Sequence, residues 1–361
     1  MSSFPEPIRG NCYDFCPAKE RIERTQTQEL SRFECPTKEA PDLVPVKKYR
    51  RAAAGRNLTD PSDLRPEIVL QRTLQYLFTT VLPRIDICKN SNAVERTEFL
   101  AVYHFVSDRI RSIRQDYIIQ QITGTSYITA LEQIVRFYII TGLRAIELVP
   151  SGTLCQDWSE KLHDQQLISA LSELQMLYDQ TNMDAHEISE FLAYNLLLHA
   201  KDSQTIASIL LKSSSPQRQV SNVQRALRTF VALQTDDYHE FWIQFHTMSR
   251  LEQALALRHL TRIWTQSIEM MKKSFRSHEW IPVDEISKWF GLEKDSKLVV
   301  KLCQNFNIQT RSTQTFIQFQ TTGISNEIDV ETFSNLLRDV AIQFHFKKFP
   351  TIDFIQTRPK Y

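Results

Sequence analysis

Three cysteines near the start of the chain have a spacing that raises the question of a metal site. Cys12, Cys16 and Cys35 stand in the contexts NCYDFCP and ECP. Tetrahedral zinc needs four thiolate or imidazole ligands, which usually come as closely spaced pairs. The first pair here has three intervening residues, and neither a fourth cysteine nor a histidine lies near these three in the sequence. We therefore favour a structural role as buried thiols over metal binding.

A basic stretch, VKKYRRAAAGR, occupies residues 46–56 and could bind phosphate groups. Lysine and arginine neutralise phosphates, and an aromatic ring can stack on a base. The alternatives are a solvated basic linker and an arm that docks through salt bridges. The candidate nucleic-acid or partner-binding residues are Lys47, Lys48, Tyr49, Arg50 and Arg51.

A second charged cluster lies on a long predicted helix with one apolar stripe. At 100° per residue, Arg111 and Arg114 flank one side of the stripe, and Arg109 and Asp116 flank the other. We favour ion pairing, between helices or within the helix, over ligand binding. Asp108 with Arg111 is one such pair expected at a spacing of three residues.

A third set of cations falls near the predicted C-terminal module. Lys294, Lys297 and Lys301 are spaced i, i+3, i+7 and so share one face of a predicted helix. Such a helix can enter a nucleic-acid groove or lie along a phosphate backbone. An ordinary exposed face is the equally weighted alternative, since Glu293 and Asp295 sit close by.

Sequence patterns of known catalytic sites are missing. The chain has no GxxxxGKS/T, GxGxxG, GxSxG, HExxH or paired CxxC. We therefore expect neither an enzyme nor a cofactor-binding protein. A metal-dependent enzyme that uses the early cysteines is a third, unfavoured hypothesis, which stoichiometric zinc in the purified protein would revive.

Length and composition narrow the class of protein further. The 361 residues are 42% hydrophobic and 24% charged, with a net charge of +1 and only 7 glycines. This mix excludes a wholly disordered chain, and so few glycines argue against glycine-rich phosphate loops and doubly wound nucleotide folds. No apolar run approaches a membrane span, and we expect no membrane partner. Six cysteines without a secretory signal predict a reducing compartment, the cytoplasm or the nucleus.

The pattern along the chain predicts a mainly α fold. Residues 1–60 form a proline-containing basic segment, and residues 61–275 read as one helix after another. Short polar connections, such as SSSPQRQ at 213–219, favour a stack of degenerate helical hairpins. Besides two earlier helices that begin near 66 and 97, the predicted helices are 125–147, 163–180, 186–199, 203–211, 220–233, 238–247 and 251–275.

Residues 276–320 change in character and predict a small separate module. A short helix opened by Pro282 and closed by Gly291 is followed by a second one over 294–306. The stretch IQTRSTQTFIQFQ then predicts a β-hairpin. Helix, helix and hairpin after a long helix is the order of a winged-helix module. Residues 321–361 are expected to add a helix near 330–340 and a tail.

Four motifs, in order over about the first 120 residues, resemble those of the Sac-three/GANP/Thp-three family. The first is a Gly-x-Cys-x-Asp-Met-Cys-Pro pattern that begins at Gly10, with Phe15 in place of the usual Met. The second is a Val-Lys-x-Tyr-x-Arg element, the third an Arg-Pro turn, and the fourth an Asp-Arg-x-Arg-x-Ile-Arg-x-Asp helix. The residues that carry the match include Cys12, Asp14, Cys16, Pro17, Val46, Lys47, Tyr49, Arg51, Arg65, Pro66, Asp108, Arg109, Arg111, Arg114 and Asp116.

The resemblance implies a fold and a set of partners. It implies a TPR/PCI-like stack of helical hairpins that ends in a winged helix. In family complexes this module pairs with a PCI-domain protein, aided by a small acidic peptide, and the joined surface holds RNA or DNA. The length of the chain is similar to that of the short, stand-alone branch of the family, which is associated with centrosome duplication and spindle assembly.

Two functional hypotheses follow. The first is a non-enzymatic scaffold or adaptor that binds a PCI-type partner through residues 276–320 and acts with centrosomal or spindle proteins. The alternative is a nuclear mRNA-export factor that binds RNA together with such a partner. Phosphate contacts make affinity fall steeply with salt, so RNA binding at low salt distinguishes the two.

Overall fold

The computed structural model is mainly helical, which confirms the predicted fold class at that level. The chain divides into two compact units. One comprises Met1–Tyr138, Asp164–Gln180 and Phe349–Thr357, and the other Ile139–His163, Thr181–Lys348 and Arg358–Tyr361. The structure describes residues 7–51, 58–88, 92–149, 158–181, 183–276, 278–292, 296–306, 308–311, 316–319, 338, 341 and 350–356.

The first unit begins with helices that follow prolines. Pro17 and Pro66 directly precede α1 and α2, and proline suits the start of a helix because its φ is fixed and it needs no amide partner. After α2 the chain continues through a π turn at Leu77–Val81 and a 3-10 stretch at Leu82–Ile87. The helices here are α1 (Ala18–Gln26), α2 (Glu67–Tyr76), α3 (Ala93–Ile119), the start of α4 (Thr125–Leu148) and most of α5 (Glu160–Gln180).

Helix α3 is the centre of the first unit. Asn92 caps it by accepting a hydrogen bond from the amide of Glu95 at 2.8 Å. Its apolar stripe is buried throughout, as the spacing predicts, and burial of such side chains is the main favourable contribution to folding. The stripe consists of Phe99, Val102, Tyr103, Val106, Ile110, Ile113 and Tyr117.

The second unit is built from shorter helices. Helix α6 packs against α9, and α9 in turn packs against α10. Asp236 ends α9 in the left-handed conformation, with φ of 55°. The helices are α6 (Ala185–Leu198), α7 (Ser203–Lys212), α8 (Ser215–Gln219), α9 (Ser221–Thr235), α10 (Tyr238–Thr247), α11 (Arg250–Ala256), α12 (Leu260–Ser274), α13 (Val283–Trp289) and α14 (Ser296–Asn305).

Two details of the second unit differ from the sequence-based prediction. The predicted connection at 213–219 contains the single-turn helix α8, because Ser214 and Gln217 form a capping box. The predicted helix 251–275 is broken by a 3-10 turn at Leu257–His259. In that turn, the buried His259 ring hydrogen-bonds the carbonyl of Leu197 at 2.8 Å.

The predicted hairpin is present, and a third short strand joins it. Strands β2 (Gln309–Thr310) and β3 (Phe316–Gln318) pair antiparallel, with Thr310 opposite Ile317. Strand β1 (Ile281–Pro282) pairs antiparallel with the other side of β3, so the order in the sheet is β1-β3-β2. Strand β1 was not predicted from the sequence, because a two-residue strand is too short to show alternation.

The turn after α13 depends on a glycine. Gly291 has φ of 67°, and a Cβ at this position would overlap the indole ring of Trp242. Both the left-handed backbone and the close approach favour glycine. Trp242 is 4% exposed, so this contact fixes α10 against the turn.

A helix from the C-terminal tail belongs to the first unit. Helix α15 (Thr351–Gln356) contacts the Leu82–Ile87 stretch, and Ile355 is fully buried. Asp86 caps it from outside: its carboxylate accepts hydrogen bonds from the amide and the hydroxyl of Thr351. The predicted helix near 330–340 lies outside the described residues, apart from Arg338.

The Asp86→Ala variant tests this docking. Loss of a capping carboxylate typically costs about 1 kcal/mol, so we expect faster amide hydrogen exchange in 350–356. Thr351→Ser keeps both donors and serves as the control. Unchanged exchange in Asp86→Ala would show that this carboxylate does not hold the helix.

Candidate functional site

The N-terminal segment is attached to the rest of the first unit by backbone contacts. The amide of Gly10 donates to Oε1 of Gln120 at 2.8 Å, and the amide of Cys12 donates to the carbonyl of Leu64 at 3.0 Å. A Cβ on Gly10 would overlap the backbone of Leu64. The glycine of the first motif is therefore explained by close approach of two backbone segments.

Asp116 on α3 is the buried acceptor for two cations. Its carboxylate lies 2.7 Å from Nζ of Lys47 and 2.7 Å from Nε of Arg65. Arg65 also donates to the hydroxyl of Ser112 at 2.8 Å, and Ser112 donates to the carbonyl of Lys47 at 2.8 Å. Residues from three of the family motifs thus meet in one hydrogen-bonded ion cluster, which we call the Asp116 cluster (Lys47, Arg65, Ser112, Asp116).

Glu34 is the centre of a second buried cluster. It pairs with Arg24 of α1 and, at 3.1 Å, with Arg109 of α3. Its carboxylate also accepts hydrogen bonds from the amides of Val46 and Ser31, both at 2.9 Å. Burial by itself would raise the pKa of Glu34, but the charge of Arg109 and these hydrogen bonds hold that pKa below its ordinary value.

Glu20 of α1 connects the second cluster to the basic stretch. It accepts a hydrogen bond from the amide of Lys48 at 2.8 Å and lies 3.5 Å from Arg24. Arg50 is 3.7 Å from Glu20 and 3.1 Å from Glu23. The alternatives to nucleic-acid contact were a solvated linker and an arm that docks through salt bridges. The contacts of Lys48 and Arg50 are those of a docked arm.

The position of Lys47 changes its predicted role. It is 9% exposed, and its ammonium contacts both Asp116 and, at 2.6 Å, the carbonyl of Asp63. A lysine so placed cannot reach a phosphate without giving up its buried ion pair with Asp116. We therefore remove Lys47 from the candidate nucleic-acid residues and assign it to the fold.

The charged residues of α3 take part in contacts that the helix alone does not supply. Asp108 pairs with Arg109 and accepts from the amide of Tyr49 at 3.3 Å. Arg111 instead lies over Tyr49, with Cζ 3.8 Å from the ring centroid. The predicted Asp108–Arg111 pair is therefore not formed. Tyr49 contacts both residues instead: its amide binds Asp108 and its ring packs under Arg111.

Arg114 joins α3 to α5. Its Nε and Nη2 lie 3.0 and 2.7 Å from Oε2 of Glu173, and Nη2 also lies 2.8 Å from the hydroxyl of Ser169. The Tyr127 hydroxyl of α4 donates to the other oxygen of Glu173. This interhelical pairing is the role that we favoured for the arginine cluster over ligand binding.

The three early cysteines differ in their exposure to solvent. Cys12 and Cys16 are buried, whereas Cys35 is exposed. Burial is the main cause that raises the pKa of both buried thiols, that of Cys16 to about 12. Within the described residues, no group of three or more histidine, cysteine or acidic side chains is arranged to hold a metal ion. The two buried thiols fit the structural role that we favoured, whereas the prediction of a buried thiol is wrong for the exposed Cys35.

Several candidate residues lie at the surface. Lys48 and Arg51 are exposed on either side of Tyr49, and Asp14 forms an exposed pair with Arg21 at 3.3 Å. On α14, Lys297 and Lys301 are exposed, while Lys294 lies outside the described residues.

A surface aromatic cluster near the sheet was not predicted. Arg311, after β2, has its Cζ 5.3 Å from the ring of Trp280 and 5.7 Å from that of Phe316. Trp280 and Phe316 are half-buried, and Arg311 is exposed. We call Trp280, Arg311 and Phe316 the Trp280 cluster. Tryptophan and arginine are the residues that most often dominate binding energy at protein interfaces.

Acidic partners were the main residues that sequence reasoning missed. Glu34 and Glu173 lie 75 and 59 residues from the arginines Arg109 and Arg114 that they pair with. No local spacing rule reports a pair at such a separation, because helical side-chain rules extend only to the next turn. Gln120, which binds Gly10, falls four residues after Asp116 and was missed for the same reason.

The fold and these clusters define a mainly helical protein in which most charged residues of the four motifs form ion pairs in the interior. The model of the SAC3/GANP family matches residues 15–312, and the chain belongs to this family. Among the described helices, none combines the length and the apolar composition needed to cross a lipid bilayer.

Curated relatives carry the same family name or match over a similar stretch. SAC3 family protein B of Arabidopsis thaliana is 28% identical over 307 residues, which is 81% of this chain and 17% of that protein. SAC3 family protein 1 of Schizosaccharomyces pombe is 27% identical over 77% of this chain and 28% of its own length. Protein xmas of Drosophila melanogaster is 24% identical over 74% of this chain and 13% of its own. The chain thus spans less than a third of these relatives.

Replacement of Asp116 tests the Asp116 cluster. Asp116→Ala leaves Lys47 and Arg65 without their carboxylate in the interior, so we expect the free energy of unfolding to fall by about 3–5 kcal/mol. Asp14→Asn breaks only an exposed pair and should cost less than about 1 kcal/mol. Urea unfolding followed by circular dichroism measures both, and equal costs would contradict the argument.

Arg114 can be tested in the same way with a binding readout added. Arg114→Ala leaves Glu173 unpaired, and we expect a loss of about 2–3 kcal/mol in stability. Arg114→Lys restores a charge without the two-pronged contact and should recover part of it. If the melting temperature stays unchanged while partner or RNA binding is lost, Arg114 is a ligand residue and not a structural one.

Proposed function

We propose that the chain is a non-catalytic scaffold of the SAC3/GANP type that binds a PCI-domain protein, aided by a small acidic peptide, through residues 276–320. In this proposal it acts in centrosome duplication, spindle assembly and mitotic progression. Its location would then be the cytoplasm, at centrosomes and the spindle, with the nucleus as the place of the alternative function below.

The order of elements from α12 to β3 is the observation that carries the proposal. A helix, a short strand, two helices and two further strands follow one another, with β1 added to the β2–β3 pair. This is the order of a winged-helix module, and it supports that assignment for residues 276–320. The ring of Phe275 stacks on that of Trp289 and on that of Phe319, with 5.8 Å between the centroids of each pair, and so joins the end of α12 to the module.

The Trp280 cluster supports a protein partner at this module. It lies beside β1 and β2, the two edge strands of the sheet, whose outer backbone groups can pair with another chain. A half-buried tryptophan under an arginine supplies apolar area and directed donors together. The serial helices before it would act as the rigid support that positions this surface.

The ion pairing of the arginines in and near the motifs supports a scaffold function over an enzymatic one. Arg24, Arg65, Arg109 and Arg114 are each paired with a carboxylate in the interior of the first unit. Residues that could have bound a substrate are thus used to join segments of the fold. On this proposal the chain has no catalytic activity and no cofactor.

Partner capture tests the proposal. We expect the full chain to recover a PCI-domain protein from cell extract, with mass spectrometry as the readout, and centriolar or spindle proteins beside it. Trp280→Ala should weaken that binding by about tenfold or more, because hot-spot truncation commonly costs about 2 kcal/mol. Val231→Ser, which removes an exposed apolar residue of α9, should bind as the parent does. Full retention by Trp280→Ala would move the interface elsewhere.

A second candidate function is a nuclear mRNA-export factor that holds RNA together with the PCI-type partner. The exposed Lys48 and Arg51 favour it, since they stand on either side of a tyrosine that Arg111 covers. The exposed Lys297 and Lys301 of α14 would add a second basic face.

Salt dependence distinguishes this function from the first. Each lost phosphate contact should lower the slope of log affinity against log salt by about 0.7 for single-stranded RNA. Lys48→Gln with Arg51→Gln should therefore reduce the slope by about 1.4 in filter binding. Lys19→Gln with Lys38→Gln, exposed lysines elsewhere in the N-terminal segment, form the control. Absence of RNA affinity at low salt would remove this candidate.

A further inference from the structure

The connection between α7 and α9 contains a sequence feature that the scaffold function does not use. Of the 14 prolines, only Pro216 directly follows a serine or threonine. Arg218 lies three residues after that serine, so the segment reads Ser215-Pro-Gln-Arg. Proline-directed protein kinases select an acceptor serine by the proline after it, and a basic residue at the third position strengthens that recognition.

The acceptor hydroxyl is placed where a kinase can reach it. Ser215 and Pro216 are both exposed, and none of the residues of α8 is buried. The neighbouring serines are used differently. Ser213 donates its hydroxyl to the carbonyl of Leu210 at 3.0 Å, and the hydroxyl of Ser214 accepts the amide of Gln217 at 3.4 Å.

The backbone of this segment needs little change to enter a kinase cleft, which binds its substrate extended. Helix α8 is a single turn of five residues, and the residues on either side, Ser214 and Val220, are already extended. So short a helix has no stability of its own, because the first turn costs more than it returns. The hydrogen bonds that hold it closed include the two of the Ser214–Gln217 capping box.

We propose that Ser215 is a phosphorylation site for a proline-directed serine/threonine kinase. In the reaction Ser215 Oγ attacks the γ-phosphorus of ATP, the bond from that phosphorus to the β–γ bridging oxygen breaks, and ADP leaves. The hydroxyl proton passes to the base of the kinase. One phosphomonoester replaces one hydroxyl, and no redox change occurs.

The charges around the site can accommodate the product. A phosphate adds nearly two negative charges at neutral pH. Arg218 falls on the same side of the helix turn, three residues on, and Lys212 is exposed three residues before Ser215. The phosphate would therefore change the surface charge of the α7–α9 connection without burying a charge.

Labelling of the full chain tests the site. The purified protein is incubated with a cyclin-dependent kinase, its cyclin and labelled ATP, and the product is digested and sequenced by mass spectrometry. We expect about one phosphate per chain, located on Ser215, and its loss in Ser215→Ala. Ser208→Ala, at an exposed serine of α7 that isoleucine and not proline follows, is the matched control and should be labelled as the parent is. Equal labelling of Ser215→Ala and the parent would overturn the proposal.

Two further measurements separate recognition from accessibility. Pro216→Ala should lower kcat/KM by about tenfold or more if the kinase selects the proline. A synthetic peptide of residues 209–222 gives the rate without the fold, and the full chain should come within about tenfold of it, since only one helical turn must open. A full chain that is labelled about a thousandfold more slowly than the peptide would mean that the fold protects Ser215, and the proposal would fail.

Discussion

The buried carboxylate of Asp116 is the interaction on which the first unit depends. It neutralises Lys47 and Arg65, which lie 69 and 51 residues before it in the sequence, and all three charges are shielded from water. Such a cluster is stable only when complete, because the cost of desolvating each charge is offset by the others and by hydrogen bonds such as that of Ser112. The segment before α2 has little helix of its own, so its position is set by these ion pairs and by those of Glu34.

This use of charge separates the motifs that identify the family from the surfaces that could bind partners. Most of the arginines in the motifs face carboxylates of the same chain, and Lys47 does so too. Among residues 46–51, the part of the basic stretch that the structure describes, the exposed cations are Lys48 and Arg51, while Arg50 pairs with Glu20 and Glu23. A site inferred from motif membership alone would therefore be placed mostly inside the fold, whereas the Trp280 cluster lies outside every motif.

The helices could be predicted from the sequence because their signals are local. The stripe of α3 from Phe99 to Tyr117 repeats at helical spacing, and Gly291 after α13 is a typical helix end. The partners of the charged residues could not be predicted from the sequence, because only tertiary packing brings Glu34 to Arg109 and Glu173 to Arg114. Strand β1 was missed for another reason: its two residues become a strand only by pairing with β3, and the paired residues Ile281 and Ile317 lie 36 positions apart in the sequence.

The contact between Asp86 and Thr351 also has a consequence for synthesis of the protein. The two residues are 265 positions apart, and at about 5–20 residues per second a ribosome needs about 15–50 s to pass from one to the other. During that interval the surface that later receives Ile355 has no helix of its own chain to cover it. Helix α15 therefore docks late, after residues 87–350 have been synthesised, and the Asp86 carboxylate receives its Thr351 partner only at that stage.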